Sequence, residues 1–186
     1  MTVYIALLRG INVGGKNIIK MADLKRVFES IGLCEVKTYI QSGNVLFKSN
    51  DVEESLCNKI EHEIEAVFGI AVKVILRTST ELEQIILNCP FSKDEVIEAE
   101  ASSEVETLYA ALMKHNPLKE KVECLDVYRS ESDKCQVIGR EVYLLFHRSI
   151  RNSKLANNLY KLDVPITVRN WKTLSKLNEL AKTMEI

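Results

Sequence analysis

The chain has 186 residues, 46% of them hydrophobic and 27% charged, with 25 Lys and Arg against 26 Asp and Glu. That length buries a substantial core and permits one large domain or two small ones. The composition excludes disordered, collagenous and coiled-coil classes, and a net charge of −1 gives no sign of a general polyanion binder.

The N-terminal run Val3 to Leu8 is too short for a signal core and lacks a basic flank, and no stretch approaches the roughly 20 apolar residues of a membrane span. A cytoplasmic protein is expected. Cys34, Cys57, Cys89, Cys124 and Cys135 form no CxxC pair, and His62, His115 and His147 are scattered. Neither a disulfide framework, nor a metal site, nor a cofactor is expected from these spacings.

Val3 to Leu8 reads as a buried strand, followed by a glycine-rich loop from Arg9 to Lys20. Leu24, Val27, Phe28 and Ile31 recur at helical spacing and Gly32 stops the run. Glu35 to Gln41 and Val45 to Lys48 alternate around Ser42-Gly43-Asn44, a hairpin signal. Leu56, Ile60, Ile64, Val67 and Phe68 mark a second helix closed by Gly69, and Val72 to Arg77 is the next strand. The order β-α-β-β-α-β is the split βαβ, or ferredoxin-like, unit. A further helix is predicted over 80–88. The acidic stretch 92–106, with six carboxylates against Lys93 alone, reads as a connection with partial helicity.

The second half repeats the grammar. Strands are predicted at 107–113, 125–129, 135–138, 141–146 and 166–168, with a turn at Gly139-Arg140. Helices are predicted at 118–122 and 153–162, and after Asn170, where Leu174, Leu177, Leu180, Ala181 and Met184 form a stripe. The fold class expected is α+β. Two ferredoxin-like subdomains span 1–78 and 106–186, the second carrying the terminal helix, and 79–105 joins them.

Two features bear on chemistry. The loop Gly10-Ile11-Asn12-Val13-Gly14-Gly15-Lys16-Asn17 nearly matches a phosphate-binding loop. Asn17 stands where the magnesium-holding hydroxyl belongs, the helix begins late, and the following hairpin conflicts with a parallel nucleotide-binding sheet. Two readings remain: a turn that needs positive φ at Gly14 and Gly15, or an anion nest with Lys16 as counter-charge. The second feature is charge asymmetry. The first hundred residues hold 11 basic and 15 acidic side chains, the rest 14 and 11. Arg148, Arg151, Lys154, Lys161, Arg169 and Lys172 face only Asp163 in their segment. Such a run suits phosphates or a solvated surface. Trp171 suits either stacking on a ligand ring or anchoring of the last helix.

The segments ALLRGINVGGKN (6–17), TYIQSGNVLF (38–47) and TVRNWKTLSKL (167–177) resemble the signatures of a bacterial domain-of-unknown-function family, one of whose streptococcal members has a known structure. The resemblance spans nearly the whole chain. It implies a two-part α+β fold and no particular activity, so whether the protein is an enzyme stays open. The markers that core packing explains least are Arg9, Asn12, Gly14, Gly15, Lys16, Asn17, Asn44, Arg169, Asn170 and Trp171. They are the candidate ligand-binding residues of an interdomain cleft. The first reading is binding of a small anionic ligand or single-stranded nucleic acid. The alternatives are an enzyme using the same cleft, with Lys16 or His147 as proton donor, and a protein-interaction module using sheet edges.

Overall fold

An unbroken apolar run from Val3 to Leu8 leaves no polar side for solvent, and it forms the interior strand β1 (Thr2–Leu8), with all six residues buried. Two antiparallel neighbours flank it, β3 (Asn44–Ser49) and β4 (Val74–Thr78), and β2 (Cys34–Tyr39) completes the order β2-β3-β1-β4. The computed structural model describes residues 1–186. Helices α1 (Met21–Ser30) and α2 (Glu53–Phe68) lie against the sheet through Leu24, Val27, Phe28, Leu56, Ile60 and Ile64. Every second residue of β1, from Tyr4 through Ala6 to Leu8, belongs to this core, as the two-residue strand period requires. Phe47 ties the layers together. Its ring lies 5.7 Å from Tyr4 and 5.6 Å from Phe28.

The second sheet repeats the topology. Strands β5 (Leu108–Met113), β6 (Asp133–Ile138), β7 (Glu141–Phe146) and β8 (Ile166–Asn170) run antiparallel in the order β6-β7-β5-β8. Ala111, Met113, Val142, Leu144 and Phe146 face a core closed by Leu155, Leu159 and Leu162. The fold is therefore α+β with two ferredoxin-like sheets. Between them in sequence lie α3 (Ser79–Leu87) and α4 (Lys93–Ala101), and α5 (Lys119–Glu123) follows β5.

Three local differences from the sequence reading have physical reasons. The predicted strand 125–129 is a 3-10 turn over Asp126–Tyr128. Leu125 and Tyr128 are three apart, a spacing that a single turn satisfies as well as a strand does. The predicted helix 153–162 is broken into α6 (Lys154–Asn157) and a 3-10 segment Leu159–Leu162, because the consecutive Asn157 and Asn158 are weak helix formers. The start of the acidic stretch is a regular helix, α4, opened by a full capping box in which Ser92 and Glu95 exchange side-chain and backbone hydrogen bonds. That S-x-x-E signature carries more weight than the composition.

The terminal helix is α7 (Trp171–Met184). The chain clusters into residues 1–84 with 175–186, and residues 85–174. Most of α7 is therefore counted with the first unit rather than the second. There Lys182 pairs with Glu83 at 2.6 Å and the Ser79 hydroxyl donates to Glu185.

The β2–β3 turn is closed by a tight approach. Gly43 has φ +76°, and a Cβ there would lie 2.8 Å from Ile11 Cδ1 and 3.0 Å from Leu8 Cβ. Its carbonyl accepts from the Leu8 amide at 2.9 Å. Gly43→Ala should lower stability by about 2–3 kcal/mol, through left-handed strain plus overpacking. Gly14→Ala, with positive φ but open space around it, should cost only about 1 kcal/mol. Urea unfolding of the two variants checks the ranking.

Candidate functional site

The β6–β7 hairpin turns at Gly139-Arg140, and from there the register runs outward to Asp133 opposite Phe146. It continues past the last strand pair, where the His147 amide donates to the Ser132 carbonyl at 2.9 Å. Two polar segments, 129–133 and 147–154, therefore meet at the open end of the hairpin. They enclose a concavity of about 400 Å³ lined by Tyr128, Arg129, Ser130, Ser132, Asp133, Arg148, Ser149, Asn152, Ser153 and Lys154 together with Val127. That volume suits a small molecule.

Three cations line it. Arg129 Nε is paired with Asp126 at 3.2 Å. Arg148 and Lys154 are exposed and form no ion pair. Hydroxyl groups make up much of the rest of the wall, beside Asp133 and Asn152. Ser130 and Ser132 lie 3.1 Å apart, and the buried Ser153 donates to Asp133 Oδ2 at 2.6 Å while capping α6. Next to the pocket, Lys161 donates to the Tyr128 hydroxyl at 2.5 Å and sits 4.8 Å over its ring. The hydrogen bond to Tyr128 holds the Lys161 ammonium above its usual pKa. Beneath Arg129, burial pushes the Cys135 thiol up, so it packs as a neutral small hydrophobe.

A concavity of about 560 Å³ in the first unit is larger, and charged side chains in its lining already have partners. Lys48 meets Glu35 at 2.7 Å and Ser79 donates to Glu185.

The sequence-predicted residues divide by what their side chains do. Asn12 is a strut. Its amide nitrogen donates to Ile19 and Gln41 carbonyls at 2.9 and 2.8 Å, and its Oδ1 accepts from the Ile19 amide at 2.8 Å. Asn17 donates to the Gly10 carbonyl at 2.9 Å. Gly14 and Gly15, at φ +57° and +73°, form a two-residue turn closed by the Val13–Lys16 bridge. Positive φ at both central positions is the hairpin-turn requirement that favours glycine. Asn44 is fully buried and donates across its turn to Tyr39 and Ser42. Arg9 and Lys16 are exposed and make no ion pair.

Asn170 caps α7, its Oδ1 accepting from the Thr173 amide at 2.8 Å. The Arg169 guanidinium donates to Thr167 and to the Val168 carbonyl at 2.8 and 2.9 Å. Burial pushes it down to about 10, so it remains a cation at neutral pH. Trp171 is half-buried, 6.3 Å from the Tyr143 ring, and packs with Ala99, Leu108 and Leu145. His147 is half-buried.

Arg148 and Lys154 belong to the basic run visible in the sequence. Arg129, Ser130, Ser132, Asp133 and Asn152 were not singled out there. Counting the hairpin register outward from Gly139-Arg140 is the signal that finds them. No group of three or more His, Cys, Asp or Glu is placed to hold a metal. All five cysteines are free. No helix is long and apolar enough to cross a membrane.

A family model described as a protein of unknown function (DUF1697) matches residues 1–143. The chain belongs to the DUF1697 family. A solved structure of a conserved bacterial protein from Streptococcus pneumoniae is similar, with 27% identity and a TM-score of 0.70. The similarity covers 97% of this chain and 98% of that one. No curated protein matches. The pocket's first segment, 129–133, lies inside the stretch matched by the DUF1697 model, whereas its second, 147–154, lies beyond it.

Asn12→Ala removes three hydrogen bonds and strands two carbonyls and an amide. It should cost about 2–3 kcal/mol and speed hydrogen exchange at the Ile19 amide. Unchanged exchange at Ile19 would show that the side chain is not a strut.

Proposed function

We propose that this DUF1697 protein binds a small phosphate-bearing ligand in the second unit, at the open end of the β6–β7 hairpin. One observation carries the reading. Arg148 and Lys154 line a concavity without a carboxylate partner, beside Arg129 and a set of serine hydroxyls. Unpaired surface cations are ordinary. Two of them facing one recess of ligand size, with serine hydroxyls in the same lining, supply both charge and directional hydrogen bonds for phosphate oxygens. In the first unit, Arg9 and Lys16 offer exposed charge but do not line this recess. Asn12, Asn17 and Asn44 are engaged in holding their loops. A reducing, cytoplasmic setting accompanies the proposal, since five free thiols, two of them exposed, suit such a compartment.

Isothermal titration with phosphorylated small molecules at low salt tests it. The double variant Arg148→Ala/Lys154→Ala should lose at least about tenfold in affinity, since each charge-assisted contact is worth roughly 1.5–3 kcal/mol. Lys16→Ala should leave binding unchanged. Wild-type affinity should fall as salt rises, because exposed charges are screened. Retained affinity in the double variant, or its loss in Lys16→Ala, places the site elsewhere.

A further inference from the structure

Resting on that anion-binding reading, we infer that the pocket selects a terminal phosphate monoester carried on a hydroxylated skeleton, that is, a sugar phosphate. The groups that line the recess divide in two. On the cationic side, Asp126 offsets Arg129 at 3.2 Å, which leaves Arg148 and Lys154 as two cations with no ion-pair partner. A phosphate monoester carries about 1.5 to 2 negative charges at neutral pH, whereas each phosphate of a nucleic-acid backbone carries about one. The monoester matches both cations; the diester leaves one unmet.

The second group is Asp133. It lines the same recess, and a carboxylate among cations repels a phosphate placed next to it. An ionised carboxylate only accepts hydrogen bonds. Its Oδ2 already takes the Ser153 hydroxyl at 2.6 Å, and its amide donates to Ser130 Oγ at 3.1 Å. Ser153 is 4% exposed and fixed as the cap of α6, so Asp133 is held in place from the protein side. The donor class that suits its remaining acceptor sites is a ligand hydroxyl. About 400 Å³ also exceeds what a bare phosphate ion fills, and Ser149 and Asn152 add further polar wall. Inorganic phosphate satisfies the cations and leaves Asp133 facing it; a neutral sugar satisfies Asp133 and leaves the cations bare. A sugar phosphate answers both.

Calorimetric titration of the full-length protein with ribose 5-phosphate, its 5-phosphate methyl diester, inorganic phosphate and ribose tests this. Ribose 5-phosphate should bind at least about tenfold more tightly than either the diester or inorganic phosphate, the scale of one charge-assisted contact. Ribose should not bind measurably. Asp133→Asn keeps an acceptor for Ser153. It should weaken ribose 5-phosphate about fivefold while leaving inorganic phosphate unchanged or tighter. Equal affinity for diester and monoester overturns the monoester selectivity. A parallel effect of Asp133→Asn on both anions overturns the hydroxyl contact. If neither inorganic phosphate nor either ester binds, the anion-binding reading itself fails. The wild-type panel decides selectivity even if the variant does not fold.

Discussion

A two-residue turn governs how the second sheet is assembled. Gly139 takes φ +61°, the turn joins β6 to β7, and the antiparallel register then leaves no freedom over which residues sit opposite each other at the far end. A slip of one residue would send Val142, Leu144 and Phe146 out of the core and the polar neighbours into it. The hydrophobic core therefore enforces the meeting of the 129–133 and 147–154 segments, more than a dozen residues apart. Packing energy holds the cations of the recess together, against their mutual repulsion.

The first unit uses its polar side chains differently. In the β1–α1 loop four residues, Gly10, Asn12, Gly14 and Gly15, have positive φ, and Asn17 makes a fifth. Such a backbone cannot satisfy its own amides and carbonyls through helix or sheet ladders. Asn12 and Asn17 do it instead, and Asn44 does the same at the adjoining turn. In this loop glycine supplies the bends and asparagine the bonds.

Much of the fold was legible because punctuation agreed with periodicity. Gly32 and Gly69 close α1 and α2, and Gly139 sits where the second hairpin turns. The misread elements lack that agreement. Residues 125–129 have an apolar spacing that serves strand or turn, and Asn157-Asn158 interrupt a pattern that otherwise reads as one helix. The candidate site was legible by half. Arg148 and Lys154 stand in a run of basic residues that composition reveals. Arg129, Ser130 and Asp133 lie in a segment of mixed charge, and only the register brings them opposite that run. The asparagines of the glycine loop show the reverse limit. A polar side chain beside glycines looks the same in sequence whether it holds a ligand or holds the loop.

The terminal helix has a consequence for how the chain comes to be folded. Residues 175–186 cluster with residues 1–84, so the first unit is completed only after the whole of the second has been made. The second unit, continuous from 85 to 174, has every part of its sheet by the time Leu174 emerges. The order of completion is thus the reverse of the order of synthesis. Contacts of such long sequence separation also close slowly. Until Lys182 and Glu185 reach Glu83 and Ser79, the earlier half is a nascent species with an unfinished surface, the kind of intermediate that chaperones meet.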